Sequence, residues 1–335
     1  MRHFITTEDW TRSELQALID RAKTFRKDPA GNALQGRSVA LLFFNPSLRT
    51  RTSFEVGIHQ LGGQAIILQP GKDAWPIEFE LGTKMDGETE EHVKEAAGVL
   101  SRYVDMIAIR AFPKFENWQE DRQDKVIRAF EKYASVPVIN METVTHPCQE
   151  LALMMAIQKN VGNPDGKKFL LTWTYHPRPL NTAVANSALM IAAKFGMEVT
   201  LLCPNEDYLL DPRYMKAAES YAMAEGRTIT VTHDIEQAYA GARMVYAKSW
   251  GALPYFGRWQ DEKPIREAHQ HFIVDEQKMA MTDNACFSHC LPLRRNVKAT
   301  DGVVESENSL VLEEAENRLH VQKALMEELM KSRAS

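Results

Sequence analysis

The 335-residue sequence contains no apolar run approaching the ~20 residues that span a bilayer. Its first residues, MRHFITTEDWTRSELQ, hold no apolar stretch of signal-peptide type, so neither a membrane nor a secreted protein is expected, and the cytoplasm is the expected compartment. Four cysteines (Cys148, Cys203, Cys286, Cys290) are too few and too scattered for a disulfide scaffold. Cys286, His289 and Cys290 lie close in sequence, but no second ligand pair with zinc-site spacing accompanies them, so no metal is expected. There is no GxGxxG, and GNPDGKK (162–168) misses the P-loop spacing by one residue, which leaves nucleotide chemistry without a motif. A net charge of -5 argues against nucleic acid or an anionic membrane as partner, because both reward a basic surface. Internal repeats, low-complexity stretches and charge blocks are also missing.

What is present is a globular composition, 44% apolar and 25% charged, in a chain too long for one core. Two domains of roughly 150 residues each are expected. Thr11 to Glu14 reads as a capping box ahead of Leu15, Leu18, Ile19 and Ala22 at helical spacing. Short apolar strands (39–44, 64–68, 105–110, 136–140) then alternate with helical patterns (51–61, 90–103, 119–134). After a long helix near 147–160 the alternation resumes with KFLLTWT, MEVTLLC, TITVTH, ARMVYAK and the run around CFSHC, with helices near 182–195, 213–225 and 235–240 between them. Nearly all-apolar strands separated by helices predict an α/β chain with two doubly wound parallel sheets linked by long helices. The expected division is residues 1–144, 145–312, and a C-terminal helix over 313–335 that packs back on the first domain, burying Leu319, Val321, Leu325 and Leu329.

In such sheets ligands bind beyond the carboxyl ends of the strands. The segment FFNPSLRTRTSFEVG (43–57) runs from a strand into Asn-Pro and then a helix whose first turn holds Ser47, Arg49, Thr50, Arg51, Thr52 and Ser53. Backbone N–H groups at a helix start lack intrahelical partners and carry the positive end of the dipole, so this segment predicts an anion cradle. Arg110 ends another strand. His146-Pro-Cys-Gln149 opens a helix, with Pro147 favoured near the first helical position and Thr145 or His146 as cap.

Taken in order and spacing, SLRTR (47–51), Arg110, HPCQE (146–150) and HCLPLRR (289–295) resemble the transcarbamylases over nearly the whole chain. The resemblance implies that Ser47, Leu48, Arg49 and Thr50 hold the phosphate of carbamoyl phosphate. Leu48 stands where relatives often have threonine or methionine, which matters little if that position offers its backbone N–H. Arg110, His146 and Gln149 are then expected on the carbamoyl oxygen and nitrogen, with Leu291 of the HCLP turn also at the carbamoyl phosphate and Cys290 of that turn in contact with the attacking nitrogen. Fixed cationic and N–H donors aimed where charge develops suit this reaction, and it needs no metal, nucleotide or other cofactor.

Ornithine-specific members carry an aspartate for the free α-ammonium, whereas this chain reads YAKSWGALPYFG there, with Lys248 in its place. A lysine repels an α-ammonium and welcomes an α-carboxylate, so an N-acylated ornithine is the expected second substrate. QPGKDAWPIEF (69–79) and HCLPLRRNVKATD (289–301) are similar to the N-acylornithine branch. That branch implies a homotrimer with Trp75 contributed to the neighbouring site, Glu142 and Lys248 at the acylornithine, and Lys298 carboxylated to a carbamate. Glu90 is expected where the succinyl-selective enzymes have proline. A carboxylate there disfavours a second one nearby, so acetylornithine is expected over succinylornithine.

Overall fold

The computed structural model describes residues 1–334, which divide into two compact units. The first comprises Met1–Pro113, Gln119–Cys148 and the chain from Arg318 onward; the second comprises Lys114–Trp118 and Gln149–Asn317. Apart from Lys114–Trp118, the chain leaves the first unit within one helix (Pro147–Asn160) and re-enters it within another (Val311–Ala334).

The first unit opens with α1 (Arg12–Lys27), whose Thr11 side chain accepts from the Glu14 amide while the Glu14 carboxylate accepts from the Thr11 amide. There follow β1 (Ser38–Phe43), α2 (Leu48–Gln60), β2 (Gln64–Leu68), β3 (Ile77–Glu78), β4 (Glu91–His92), α3 (Val93–Tyr103) and β5 (Met106–Arg110). Then come α4 (Trp118–Asp121), α5 (Lys125–Tyr133), β6 (Val138–Glu142) and the start of α6 (Pro147–Asn160). The four-stranded sheet is parallel in the order β2-β1-β5-β6. Ala40, Leu42, Ile107, Ile109 and Val138 pack with Val93, Ala97, Ile127 and Phe130 of α3 and α5. The alternate side chains Val39, Leu41, Met106 and Ala108 are buried too, as a parallel sheet covered on both faces requires.

The second unit continues α6 and adds β7 (Lys168–Trp173), α7 (Ala183–Lys194), β8 (Glu198–Leu202), α8 (Pro212–Ala224), β9 (Ile229–Thr232), α9 (Ile235–Tyr239) and β10 (Met244–Lys248). It ends with α10 (Trp259–Ala268), α11 (Glu276–Ala280), β11 (Cys286–Ser288), α12 (Asp301–Val304) and the first turns of α13 (Val311–Ala334). Its five strands are parallel in the order β11-β10-β7-β8-β9. Every residue of α7 is buried, which explains its run of alanines and other small side chains. Among the described residues no helix is long and apolar enough to cross a membrane.

Three expectations are corrected. The helix expected over 119–134 is two, because Asp124 turns left-handed (φ 54°) and its carboxylate accepts from the Thr143 hydroxyl at 2.6 Å, a tertiary bond that outweighs local propensity. The helix expected from residue 90 starts at Val93, since Glu91 and His92 pair with β3. In α13, Val321, Leu325 and Leu329 are buried as expected but Leu319 is only half-buried, and Glu314, Asn317, Arg318, His320, Gln322 and Lys323 are buried too, which an apolar stripe does not reveal.

Lys114–Trp118 joins the second unit through aromatic contacts. Phe115 stacks on Phe256 at 5.7 Å, Trp118 meets Phe256 at 5.4 Å, and the Trp259 indole N–H donates to the Phe115 carbonyl at 2.8 Å. Gly257 (φ +81°) lies so close that a Cβ would collide with the Glu116 carbonyl oxygen. Gly257→Ala should cost about 2 kcal/mol from strain and overlap. A thermal melt several degrees below the parent is expected; an unchanged melt would contradict this packing.

Candidate active site

In the first unit, Ser47 caps α2, its hydroxyl accepting from the Thr50 amide at 3.1 Å. The amides of the first turn therefore face outward with no helical carbonyl to satisfy them. Thr50 is buried, and its hydroxyl accepts from the Arg318 guanidinium of α13 at 2.6 Å, which leaves its proton available to another acceptor. Arg49 is half-buried and Leu48 is 76% exposed, so Leu48 offers backbone rather than side chain. The other expected donors turn away: the Thr52 hydroxyl donates to the Leu48 carbonyl at 2.9 Å, the Ser53 hydroxyl to the Thr50 carbonyl at 3.3 Å, and Arg51 is exposed with Glu55 4.0 Å away.

Register brings Arg110 at the end of β5 opposite Glu142 at the end of β6, across a shift after Ile109. The Arg110 guanidinium is bonded to the Glu142 carboxylate and lies 4.4 Å over the Phe112 ring, while its buried Nε has no partner. His146, also buried, places Nε2 3.6 Å from the same carboxylate. The intervening turn is fixed by Asn140, whose amide donates to the Ile5 carbonyl and the Thr143 hydroxyl at 2.9 Å each and to the Thr145 hydroxyl at 3.2 Å. Glu142, expected among the acylornithine contacts, thus stands with Arg110 and His146. Trp75 (66% exposed) and Glu90 (exposed) belong to the stretch between β2 and α3. Trp75 rims a groove of ≈ 650 Å³ with Leu42, Leu68, Pro70, Ile77 and Leu100.

In the second unit the Gln149 amide donates to Glu314, which also accepts from the Tyr246 hydroxyl at 2.9 Å and from Ser288. Expected on the carbamoyl group, Gln149 has one amide N–H bonded to this buried carboxylate.

Lys248 ends β10 and is buried, its ammonium donating to the Ser249 carbonyl at 3.2 Å. Lys298 is buried as well, with Nζ 3.1 Å from His289 Nε2. Burial, reinforced by the charges of Lys248 and Arg294, pulls Lys298 down to about 7. The His289 geometry agrees: its Nδ1 accepts from the Leu291 amide at 3.0 Å, so a neutral ring carries its proton on Nε2 and needs an acceptor at Lys298. A neutral amine is one. Cys290 and Leu291 are half-buried beside them in sequence, Leu291 with φ 44°.

Three participants escaped the sequence reading. Arg318 and Glu314 sit in a helix whose apolar spacing predicts packing only; the polar run EEAENRLHVQK (313–323) in a helix near the end of a globular chain is the available signal. His176 carries no motif. It is buried and held down to about 4, first by burial and then by the charges of Lys298, Arg294 and Lys248, against a hydrogen bond to Arg178 that raises it. Among the described residues no group of three or more His, Cys, Asp and Glu side chains is placed to hold a metal ion.

Comparison with known proteins accords with this geometry. Residues 2–159 match the family described as aspartate/ornithine carbamoyltransferase, carbamoyl-P binding domain, and residues 173–329 match its Asp/Orn binding domain. The chain is 64% identical over 332 residues to the N-acetylornithine carbamoyltransferase of Xanthomonas campestris pv. campestris, covering 98% of each. It is 36% identical over 323 residues to the N-succinylornithine carbamoyltransferase of Bacteroides fragilis, covering 95% of each. A crystal structure of acetylornithine transcarbamylase complexed with acetylcitrulline superposes with a TM-score of 0.97 at 63% identity, covering 98% of this chain and 99% of that one. With both of its halves matched and its strand-end residues in place, the chain belongs to the aspartate/ornithine carbamoyltransferase family.

Proposed function

We propose that the chain transfers the carbamoyl group of carbamoyl phosphate to the δ-amine of N2-acetyl-L-ornithine, giving N-acetyl-L-citrulline and phosphate, a step of arginine biosynthesis. The observation that carries this reading is Lys248, a buried cation at the strand end where an ornithine-specific enzyme needs an anion. The identity to N-acetylornithine carbamoyltransferases supports it.

The chemistry assigns roles. The δ-nitrogen lone pair forms a bond to the carbamoyl carbon, the carbonyl oxygen takes up charge, and the phosphate departs with the C–O bonding pair and, in the balance of the reaction, takes up the proton that the δ-nitrogen loses. Arg110 and His146 hold the carbonyl oxygen, stabilising it more as its charge grows. The helix-start amides with Ser47, Arg49 and Thr50 hold the phosphate, and Arg318 fixes Thr50. The Gln149 carbonyl accepts from the carbamoyl NH2. Lys248 receives the α-carboxylate, and acylation of the α-nitrogen removes the ammonium it would repel. Glu142, tied to Arg110 here, is a further acceptor for the acylated substrate.

Lys298 is proposed to be a carbamate. A neutral lysine amine adds to CO2, forming an N–C bond and releasing one proton, and a value of about 7 makes that amine available at neutral pH. The product would accept from His289 Nε2–H and lie among Lys248 and Arg294. A homotrimer is proposed as well, with Trp75 completing the neighbouring copy's site; its exposure and the groove it rims support the idea. A cytoplasmic enzyme is proposed as well, in keeping with a sequence whose four cysteines are too few and too scattered for a disulfide scaffold. Acetyl over succinyl follows from Glu90, and the greater identity to acetyl-specific than to succinyl-specific relatives supports it.

The direct test is a colorimetric citrulline-type assay with ornithine, N-acetylornithine and N-succinylornithine side by side. N-acetylornithine should be the preferred acceptor, and equal turnover of ornithine would refute the reading. Deprotonating a δ-ammonium with a pKa near 10.4 costs roughly 4 to 5 kcal/mol at pH 7, so kcat/KM should climb with pH into the alkaline range. A flat profile from about pH 6 to 9 would count against rate-limiting use of the free amine. Glu90→Pro should raise turnover of the succinyl substrate relative to the acetyl one; an unaltered ratio removes the charge argument. Carbon-13 bicarbonate should give a carbamate resonance in the parent that Lys298→Arg abolishes, with occupancy falling below about pH 7 as the amine protonates. A parent spectrum without that resonance would exclude the carbamate.

A further inference from the structure

Two loops of the second unit follow neighbouring strands: residues 174–181, which contain His176, after β7, and residues 249–257 after β10, which ends at Lys248. They are bonded to each other along their length. The Thr174 amide donates to the Lys248 carbonyl at 3.0 Å, the Thr174 and Ser249 hydroxyls lie 3.1 Å apart, and the Ser249 hydroxyl donates to the Tyr175 carbonyl at 3.3 Å. The Gly251 amide donates to the Leu180 carbonyl at 3.1 Å, and a Cβ on Gly251 would meet Pro179 at 2.9 Å and Trp259 at 2.7 Å. Trp173 Nε1 donates to the Trp250 carbonyl and Trp250 Nε1 to the Tyr208 carbonyl, each at 2.9 Å.

Beneath the loops, on α10, lies an ion pair that the chemistry above does not use. Glu262 and Arg266 are 0% and 3% exposed and are bonded to each other in the favourable i,i+4 order. Each has further bonds. Glu262 accepts from the Tyr208 hydroxyl at 3.1 Å and from the Ala252 amide at 3.3 Å, and Arg266 donates to the Pro177 carbonyl at 3.1 Å. One end of the pair therefore grips the loop that follows Lys248, and the other grips the loop that contains His176. A buried pair of this kind is often no more stabilising than apolar residues of the same volume. Its distinctive effect is geometric: two backbone sites on different loops are set at a fixed separation.

We propose that the buried Glu262–Arg266 pair is a positioning device that holds the loops after β7 and β10 in one register and so sets the place of Lys248 and His176 for the acylornithine. This rests on the reading of Lys248 as the acylornithine cation. Neither residue touches the reacting atoms; both act through the loop backbone. Their loss should therefore weaken use of the second substrate and spare carbamoyl phosphate.

The test compares Glu262→Leu/Arg266→Met, which removes both loop grips, with Glu262→Gln/Arg266→Met, which keeps an acceptor for the Ala252 amide. The first should raise KM for N-acetylornithine by at least about tenfold, in line with the cost of small misplacements, and leave KM for carbamoyl phosphate within about twofold. The second should recover part of that loss. Amide hydrogen exchange provides a readout that does not depend on activity: peptides covering 174–181 and 249–257 should exchange faster in the first variant, with the strands of the unit unaltered. Equal changes in both KM values, an unchanged KM for N-acetylornithine, or loop exchange at the parental rate would overturn the proposal. A parent with no activity on N-acetylornithine would instead refute the functional reading, and the exchange data would still decide whether the pair holds the loops. If the first variant fails to fold, the second variant's KM values and loop exchange decide by the same criteria.

Discussion

A buried ammonium group needs an anion beside it or a reason to give up its proton, and much of the second unit is organised around that constraint. Lys248 and Lys298 are 7% and 2% exposed, and the polar contacts of their Nζ atoms are to a carbonyl and an imidazole, the Ser249 carbonyl and His289 Nε2. Removing such charges from water costs several kcal/mol each. Lys298 responds by losing affinity for its proton, and His289, with its Nδ1 occupied by the Leu291 amide, presents a donor that suits a neutral or anionic Lys298. An arriving α-carboxylate would supply an anion for Lys248. Arg110 in the first unit shows the other solution, since its guanidinium already has the Glu142 carboxylate.

Parallel topology explains why these groups are at strand ends at all. Within each main sheet taken by itself the strands are parallel and finish on one edge, so the residue that ends each strand and the loop after it lie along that sheet's edge. Arg110, Glu142 and Lys248 are the last residues of β5, β6 and β10, and the Ser47 cap lies four residues beyond β1. Apolar interiors of the strands fix the sheets; the polar terminal residue can then vary without disturbing the core. That separation allows a fold shared by relatives named for different amine substrates to carry different residues at the strand ends.

The sheets were legible because their signal is local. Strands such as β1 and β7 are continuous apolar runs, and α1 announces itself with a capping box. The cradle was legible for the same reason, since a helix start is written in consecutive residues. What escaped depends on distant partners. Nothing around Asp124 foretells the Thr143 hydroxyl that breaks a helix, and nothing in Arg318 foretells Thr50. Thr52 and Ser53 looked like phosphate donors by composition, but each hydroxyl has a carbonyl of its own helix within reach. His176 is a lone histidine in a proline-rich loop and becomes notable only through the cations brought near it.

The account's central claim is that the charge at position 248 selects an acylated α-nitrogen. It is tested most directly by steady-state kinetics of Lys248→Asp with N-acetylornithine and with ornithine. The expected result is a loss of at least about a hundredfold in kcat/KM for N-acetylornithine, about 2.7 kcal/mol in transition-state terms, with the KM for carbamoyl phosphate preserved and the ratio of ornithine to N-acetylornithine turnover increased. Parental kcat/KM for N-acetylornithine in that variant would contradict it.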